Sequence, residues 1–159
     1  MHTTFFTADT HFGHDNIIKY ESALRPFATI EAHDEALISR WNAKVKPRDT
    51  VYHLGDVLFR LESFELLGRL NGVKRLVLGN HDYFPMEYYA KYFVEIRGCM
   101  TWKRYLLSHI PVDAGQSERF VGNIHGHMHA RKLEGDFHHC VSLEQTGLAP
   151  IAFDELIIR

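Results

Sequence analysis

The side chains able to do chemistry in this 159-residue chain are mostly histidines and aspartates, and they recur in short clusters. The clusters are Asp9-Thr10-His11, Gly55-Asp56, Gly79-Asn80-His81-Asp82, His109 and His125-Gly126-His127-Met128-His129. Imidazole, carboxylate and amide donors without a thiolate favour borderline to hard divalent ions, namely manganese, iron, zinc, nickel or cobalt. Because the candidate ligands are too many for one ion, we expect two ions that share a carboxylate.

Each cluster has an ordinary explanation when it is considered alone. A Gly-Asp pair such as Gly55-Asp56 is usually a turn, and an Asn-His-Asp run is a common turn or helix N-cap. The histidines at 127 and 129 are different, because alternate side chains of an extended backbone point the same way and could reach one site. The clusters together therefore favour a metal centre over a set of unrelated loops.

The elements that must position these clusters are short apolar segments. Strands are predicted over residues 3–8, 50–54, 73–78, 94–96, 99–102, 105–108, 120–124 and 140–143. Helices are predicted over residues 30–45, 61–70 and 86–92, where apolar side chains recur at three- and four-residue steps. Alternating strands and helices followed by strands indicate an α/β fold with two sheets, and the length fits a single domain over 1–159.

The clusters follow the predicted strands directly. Asp9 comes after the first strand, Asp56 after the second and Asn80 after the third, while His109 and His127 come after later strands. Ligands of open α/β sheets bind beyond the carboxyl ends of the strands. The sequence therefore predicts that these side chains converge at one rim of the sheet.

Composition limits the class of protein. Apolar residues make up 45% of the chain, which allows a hydrophobic core, and the net charge of -2 does not indicate a stable nucleic-acid partner. A nucleotide substrate remains possible, because bound metal ions add positive charge. We expect a cytoplasmic protein without a membrane partner, since no apolar run approaches the ~20 residues that span a bilayer. Cys99 and Cys140 are expected to be buried, reduced thiols, and the oligomeric state stays open.

The ordered clusters resemble the signature of the calcineurin-like metallophosphoesterase superfamily, and the segment 7–18 resembles its small, uncapped bacterial and phage members. The resemblance implies a four-layer α-β-β-α sandwich with two mixed β-sheets. It also implies two divalent metal ions, with manganese the first expectation. By this resemblance Asp9, His11 and His129 hold one ion, Asn80, His109 and His127 hold the other, and Asp56 bridges both.

The resemblance further implies a catalytic role for His81, which would stabilise or protonate the leaving oxygen while Asp82 orients its ring. We expect hydrolysis of phosphate esters, most favourably phosphodiesters, by a hydroxide that bridges the metal ions. Phosphomonoesterase and nucleotide pyrophosphohydrolase activities are alternatives. A non-hydrolytic binding module that is stabilised by metal is a more distant one.

Other side chains near the clusters are candidates for substrate binding. His14 and Asn16 follow the first cluster closely, and Arg25 could present its forked donors to a phosphate. A surface salt bridge is an equally good expectation for Arg25. His53 is expected to support the site by donating to a ligand or a backbone carbonyl, and His125 is expected to be structural. His33, His138 and His139 have no motif around them and are treated as ordinary residues.

Overall fold

A computed structural model describes residues 2–158 and contains two mixed β-sheets. The strands are β1 (Thr4–Thr7), β2 (Thr50–His53), β3 (Val73–Val77), β4 (Glu95–Arg97), β5 (Met100–Trp102), β6 (Tyr105–Ser108), β7 (Gly122–His125), β8 (His138–Cys140) and β9 (Ile151–Ala152). The helices are α1 (Ile17–Tyr20), α2 (Ile30–Lys44), α3 (Phe64–Leu67), α4 (Met86–Tyr89), α5 (Leu143–Thr146) and α6 (Phe153–Ile157). Two 3₁₀ turns cover Leu61–Ser63 and Ala114–Glu118.

The first sheet has the strand order β4-β3-β2-β1-β9. Its first four strands are parallel, and β9 pairs antiparallel with β1. Parallel neighbours need a crossover connection, and α2 provides it between β1 and β2. The carboxyl ends of β1, β2 and β3 therefore lie side by side at one edge of this sheet.

The helix α2 shows how local sequence sets an element. The Thr29 side chain caps its start by accepting from the Ala32 N–H at 3.2 Å, and side chains such as Trp41 are buried along one side. The helix ends at Lys44, before Pro47, which cannot continue a helix. Its predicted extent over 30–45 is confirmed to within one residue.

The second sheet has the order β5-β6-β7-β8. The strands β5 and β6 form an antiparallel hairpin, whereas β6, β7 and β8 are parallel. The hairpin turns through Lys103 and Arg104, both with positive φ, as expected for a tight turn that matches strand twist. The parallel strands again align their carboxyl ends, where the later histidine clusters begin.

Alternate residues of the first sheet enter two different cores. Phe5 and Leu76 pack in the cluster that includes Trp41 of α2, whereas Phe6 and Val77 pack in the cluster with Leu107 and other side chains of the second sheet. Both faces of the first sheet are therefore buried, as is usual for parallel strands. The predicted α/β fold with two mixed sheets and flanking helices is confirmed.

Some local predictions were wrong. The segment 61–70 contains a 3₁₀ turn and the short α3 rather than one helix, and the strand expected over 140–143 lies earlier, over His138–Cys140. Leu143 instead begins α5, and its side chain is buried in the core beside α2. Cys99 is exposed and Cys140 is half-buried, whereas both were expected to be buried, although both are free thiols. Within residues 2–158, no helix combines the length and the apolar character needed to cross a bilayer.

Candidate metal centre

The seven predicted ligands all follow the carboxyl ends of parallel strands, on both sheets. They are Asp9 and His11 after β1, Asp56 after β2, Asn80 after β3, His109 after β6, and His127 and His129 after β7. The two sheets meet beside them, where Ala8 forms a parallel bridge with Ser142. The predicted convergence of the clusters at one rim therefore agrees with the topology.

One group of ligands consists of Asp9, His11 and His129, each of which offers an atom within 4.8 Å of the others. The Asp9 carboxylate accepts through Oδ2 from the Ser142 hydroxyl at 2.7 Å and from the His127 backbone N–H at 3.0 Å. Its Oδ1 and the Nε2 of His11 are buried without a hydrogen-bond partner and lie 3.8 Å apart. Two such atoms facing each other fit a shared cation, because unpaired buried polar atoms are costly.

A second group consists of Asp56, His109 and His127, again with ligand atoms within 4.8 Å of one another. His109 donates through Nδ1 to the Leu54 carbonyl at 2.7 Å. Its Nε2 lies 3.4 Å from Asp56 Oδ2 and 2.9 Å from Asn80 Oδ1. Burial lowers the pKa of His109, but Asp56 and Asp9 outweigh this effect and raise the pKa to about 9, so the carboxylates favour positive charge here.

Asp56 lies between the two groups. Its Oδ2 is 3.4 Å from His109 Nε2 and 3.8 Å from His11 Nε2. Burial raises the pKa of Asp56, but contacts with His109 and with the His81 backbone N–H outweigh this effect, so the carboxyl is held below its usual pKa. An ionised carboxylate therefore lies between the two candidate ligand groups.

The ligand loops adopt an uncommon backbone conformation. Five of the candidate ligands are non-glycine residues with positive φ, namely Asp9 (59°), His11 (51°), Asp56 (56°), His127 (67°) and His129 (49°). Each such residue costs on the order of 1–3 kcal/mol, and residues of this kind concentrate at functional sites. The left-handed turns re-aim the side chains toward the centre, which a plain extended strand end would not do.

Two glycines allow these loops to approach one another. A Cβ atom at Gly126 would lie 2.5 Å from the Ala8 Cβ and 2.8 Å from Asp9 Oδ2. A Cβ atom at Gly79 would lie 2.5 Å from the Asp56 backbone nitrogen. Both separations are shorter than van der Waals contact, so any side chain at these positions would push the ligand loops apart.

Asp82 has a different role from the one expected. Its carboxylate accepts from the backbone N–H groups of Gly79 at 2.7 Å, Asp56 at 2.8 Å and Val57 at 2.9 Å. It therefore holds the β2 and β3 loops together and does not orient the ring of His81. The His81 side chain is exposed, with its ring 5.0 Å from that of Phe59.

The predicted substrate-binding residues lie in three different environments. The His14 ring stacks on Phe59 at 3.9 Å between centroids, and its Nδ1 lies 3.3 Å from His11 Nδ1. Burial and neighbouring cationic groups lower the pKa of His14 to about 4, so the ring is neutral near pH 7. Asn16 is exposed before α1 and accepts from Lys19 at 3.3 Å. His14 thus borders the centre, whereas Asn16 faces solvent.

Arg25 fits neither of its two expectations, because its side chain is completely buried. It donates to the Asp9 carbonyl at 2.6 Å and the Thr10 carbonyl at 3.3 Å, and it pairs with Glu144 at 2.6 Å. It also contacts His33 Nε2 at 3.0 Å. His33, which was treated as an ordinary residue, is therefore a buried partner of Arg25. The guanidinium is fully engaged within the protein and has no surface to offer to a phosphate.

Sequence reasoning missed Glu144 and Ser142, which both contact ligands. Glu144 is buried, 3.0 Å from His129 Nδ1, and the Ser142 hydroxyl donates to Asp9. Ser142 lies within the strand predicted over 140–143 and Glu144 directly follows that segment, but neither residue belongs to one of the histidine and aspartate clusters. Only their position directly after the His138–Cys140 strand, parallel to β7, could have indicated the same rim.

Two further histidines support the loops from inside. His53 is buried, and its Nε2 lies 2.9 Å from the Thr10 hydroxyl, rather than next to a ligand or carbonyl as expected. The Thr10 hydroxyl in turn donates to the Val57 carbonyl at 2.7 Å. His125 donates through Nδ1 to the Gly126 carbonyl at 2.8 Å, in agreement with the structural role expected for it.

Comparison with known families agrees with this geometry. The family model of the calcineurin-like phosphoesterases matches residues 2–153. The chain belongs to the calcineurin-like phosphoesterase family. Members use divalent metals, and the chain is accordingly a metal-dependent phosphoesterase with candidate ligand groups at the expected rim.

Individual relatives are consistent with this family membership. The chain is 37% identical over 139 residues to the uncharacterized protein MJ1445 of Methanocaldococcus jannaschii. The matched region covers 84% of this chain and 73% of that protein. The chain is also 33% identical over 87 residues to the gene 66 protein of Mycobacterium phage L5. This matched region covers 52% of the chain and 41% of that protein.

Two solved structures share the fold. The protein of unknown function AQ665 from Aquifex aeolicus is 29% identical, with a TM-score of 0.80 over 98% of this chain and 97% of that one. A novel archaeal phosphodiesterase is 19% identical, with a TM-score of 0.52 over 88% of this chain and 82% of that one. At that identity the second likeness concerns the fold alone.

Proposed function

We propose that this calcineurin-like phosphoesterase hydrolyses phosphodiesters with two divalent ions, of which manganese is the first to test. The observation that carries the proposal is the pair of ligand groups, Asp9 with His11 and His129, and Asp56 with His109 and His127. Because Asp56 also lies 3.8 Å from His11, the two groups are adjacent. This arrangement supports a dinuclear centre rather than two separate ions.

We assign the candidate ligands to the two ions as the family resemblance implies. Asp9, His11 and His129 would hold one ion, His109, His127 and Asn80 the other, and Asp56 both. When bound, paired ions supply a nucleophilic water of lowered pKa and neutralise charge on the phosphoryl oxygens. The protein holds these side chains in place beforehand, since Asp9 Oδ2 accepts from the Ser142 hydroxyl and His109 Nδ1 donates to the Leu54 carbonyl.

His81 is the residue we assign to the leaving group. Its backbone N–H donates to Asp56 Oδ1 at 2.9 Å, which ties it to the carboxylate between the ligand groups. Its exposed ring lies 6.2 Å from that of His11 and packs near Phe59. A side chain so placed can protonate the departing oxygen, a contribution that is typically about 10²–10⁴-fold.

The charges around the centre favour a diester over a monoester. A monoester carries up to two negative charges near neutral pH, and its recognition normally uses cationic side chains. Arg25, the cation expected for that role, is instead buried in contact with Glu144. His14 borders the centre with its ring stacked on Phe59 at 3.9 Å between centroids. A singly charged diester therefore suits these surroundings better.

The test is a substrate panel on protein that has been stripped of metal and reloaded with manganese, iron, zinc, nickel or cobalt. We expect bis(p-nitrophenyl) phosphate to be hydrolysed faster than p-nitrophenyl phosphate or a dinucleotide pyrophosphate, and expect no turnover in chelator. A faster monoester or pyrophosphate reaction would replace the diester assignment with the corresponding activity. Absence of turnover with every ion would favour the non-hydrolytic binding module.

The bridging role of Asp56 has its own test. Asp56→Ala should lower occupancy at both ion positions together, because its carboxylate faces both ligand groups. The measurement is the metal-to-protein ratio after equilibrium dialysis against manganese. A variant that retained two ions with unchanged affinity would refute the bridge.

A further inference from the structure

A buried ion pair lies directly behind the proposed metal centre. Arg25 Nε and Glu144 Oε1 are 2.6 Å apart, and both side chains are 0% exposed. Removing two charges from water is unfavourable unless both are extensively hydrogen-bonded. The pair therefore has to be understood from what else these two side chains contact.

Glu144 contacts one ligand of the first group. The same Oε1 that meets Arg25 accepts from His129 Nδ1 at 3.0 Å. A histidine that donates one ring nitrogen to a carboxylate keeps the other nitrogen free for a metal, with its tautomer and orientation fixed. The contact thus specifies Nε2 as the nitrogen through which His129 binds.

Arg25 contacts the backbone of the loop that carries the other two ligands of this group, Asp9 and His11. Its guanidinium donates to the Asp9 and Thr10 carbonyls at 2.6 Å and 3.3 Å. These carbonyls belong to the turn in which Asp9 and His11 have positive φ. One guanidinium therefore restrains the strained loop and, through Glu144, the third ligand.

The second group is supported differently. His109 Nδ1 donates to a neutral acceptor, the Leu54 carbonyl, at 2.7 Å. Asp56 is held through the backbone, since its N–H donates to Asp82 at 2.8 Å. Arg25 and Glu144 thus contact the ligands of the first group. In the second group, the Leu54 carbonyl accepts from His109 Nδ1, as Glu144 accepts from His129 Nδ1 in the first.

We propose that Arg25 and Glu144 are positioning residues that set the metal affinity of the Asp9–His11–His129 group and leave the other group unaffected. The inference rests on the dinuclear centre proposed above. It predicts that the two ions respond differently to one substitution. Glu144 and Arg25 act through the ligands and do not contact the reacting atoms.

The test is a cobalt titration of metal-free protein, followed by visible absorption and by equilibrium dialysis. Glu144→Gln keeps the size of the side chain but removes its charge. We expect wild-type protein to bind two ions, and Glu144→Gln to bind one of them about 10–100-fold more weakly with the other unchanged. The matched control is Glu155→Gln, which removes an exposed carboxylate paired with Lys44 at 3.5 Å and should change neither affinity.

The outcomes separate this inference from the proposed function. Unchanged affinities in Glu144→Gln, or an equal loss at both positions, would overturn the role of Glu144 while leaving two ions in the wild type. A wild-type protein that bound no ion would overturn the dinuclear centre as well. If Glu144→Gln does not fold, ¹H–¹⁵N spectra of the zinc-loaded wild type decide the question. We expect a proton on His129 Nδ1, and a proton on Nε2 would refute the proposal.

Discussion

His53 allows a quantitative prediction, because the structure accounts for both of its ring nitrogens. The side chain is 1% exposed, Nδ1 accepts from the Gly55 N–H at 3.2 Å, and Nε2 donates to the Thr10 hydroxyl at 2.9 Å. An imidazole that accepts at one nitrogen and donates at the other is neutral. Burial accordingly lowers the pKa of His53 to about 3.

The magnitude follows from linkage between protonation and folding. The unfolded chain has the ordinary histidine pKa of 6.5, so it binds more protons than the folded protein between pH 6.5 and about 3. Stability is therefore highest above the unfolded pKa and falls as the pH decreases through this window. Between pH 7 and pH 5, protonation of one unfolded histidine lowers the free energy of unfolding by about 2 kcal/mol.

The assay is urea unfolding of metal-free protein at pH 7 and pH 5, followed by circular dichroism. We expect wild-type protein to lose about 2 kcal/mol more than His53→Gln over this interval, because glutamine does not titrate. The exposed His2 provides a control, and His2→Gln should keep the wild-type difference. Equal losses in wild type and His53→Gln would show that His53 does not stay neutral in the folded protein and would refute the reasoning.

Three further predictions concern the loops and the leaving group. His81→Ala should keep both ions but lower turnover by about 10²–10⁴-fold, most on diesters with poor leaving groups; loss of the ions in dialysis would instead make it a ligand. Gly126→Ala should destabilise by about 1–3 kcal/mol in urea through its clash at the centre, whereas Gly98→Ala, with open space around it, should be neutral. Arg25→Met should cost about 3–5 kcal/mol of unfolding free energy by removing the guanidinium partner of a buried carboxylate, and a change below 1 kcal/mol would contradict a buried ion pair at this position.

The convergence of the candidate ligands could be predicted because the sequence signals for it are local. Asp9, Asp56 and Asn80 each follow a short apolar segment, and parallel strands bring such positions to one edge regardless of how the rest of the chain packs. The same reasoning predicted α2, whose apolar periodicity and N-cap lie within one stretch of sequence. The fold class and the convergence of the candidate ligands at one edge therefore follow from neighbouring residues and one general rule of sheet geometry.

The supporting residues were not predictable in this way, because their partners are distant along the chain. Arg25 and Glu144 are 119 residues apart in sequence, and Asp82 lies 26 residues from the backbone N–H of Asp56 that it accepts from. An isolated arginine or aspartate near a motif carries no local sign that its side chain turns inward. Arg25 was considered for substrate binding because it lies near the first cluster in sequence, and the family resemblance implied that Asp82 orients His81. The side chains of both residues instead contact backbone groups of the candidate ligand loops.

The strained ligand loops explain why the buried charges lie where they do. A left-handed non-glycine residue costs on the order of 1–3 kcal/mol, while a hydrogen bond to a charged group contributes roughly 1.5–3 kcal/mol. The turn at Asp9 is held by Arg25 at 2.6 Å, and the turn at Asp56 by Asp82 at 2.8 Å. One charged contact is thus comparable with the strain of one left-handed residue, as at Asp56. The turn at Asp9 contains two such residues, Asp9 and His11, and Arg25 donates to two of its carbonyls. A charge that served substrate instead would leave its turn unsupported, so the burial of Arg25 and Asp82 follows from the conformation that the ligands require.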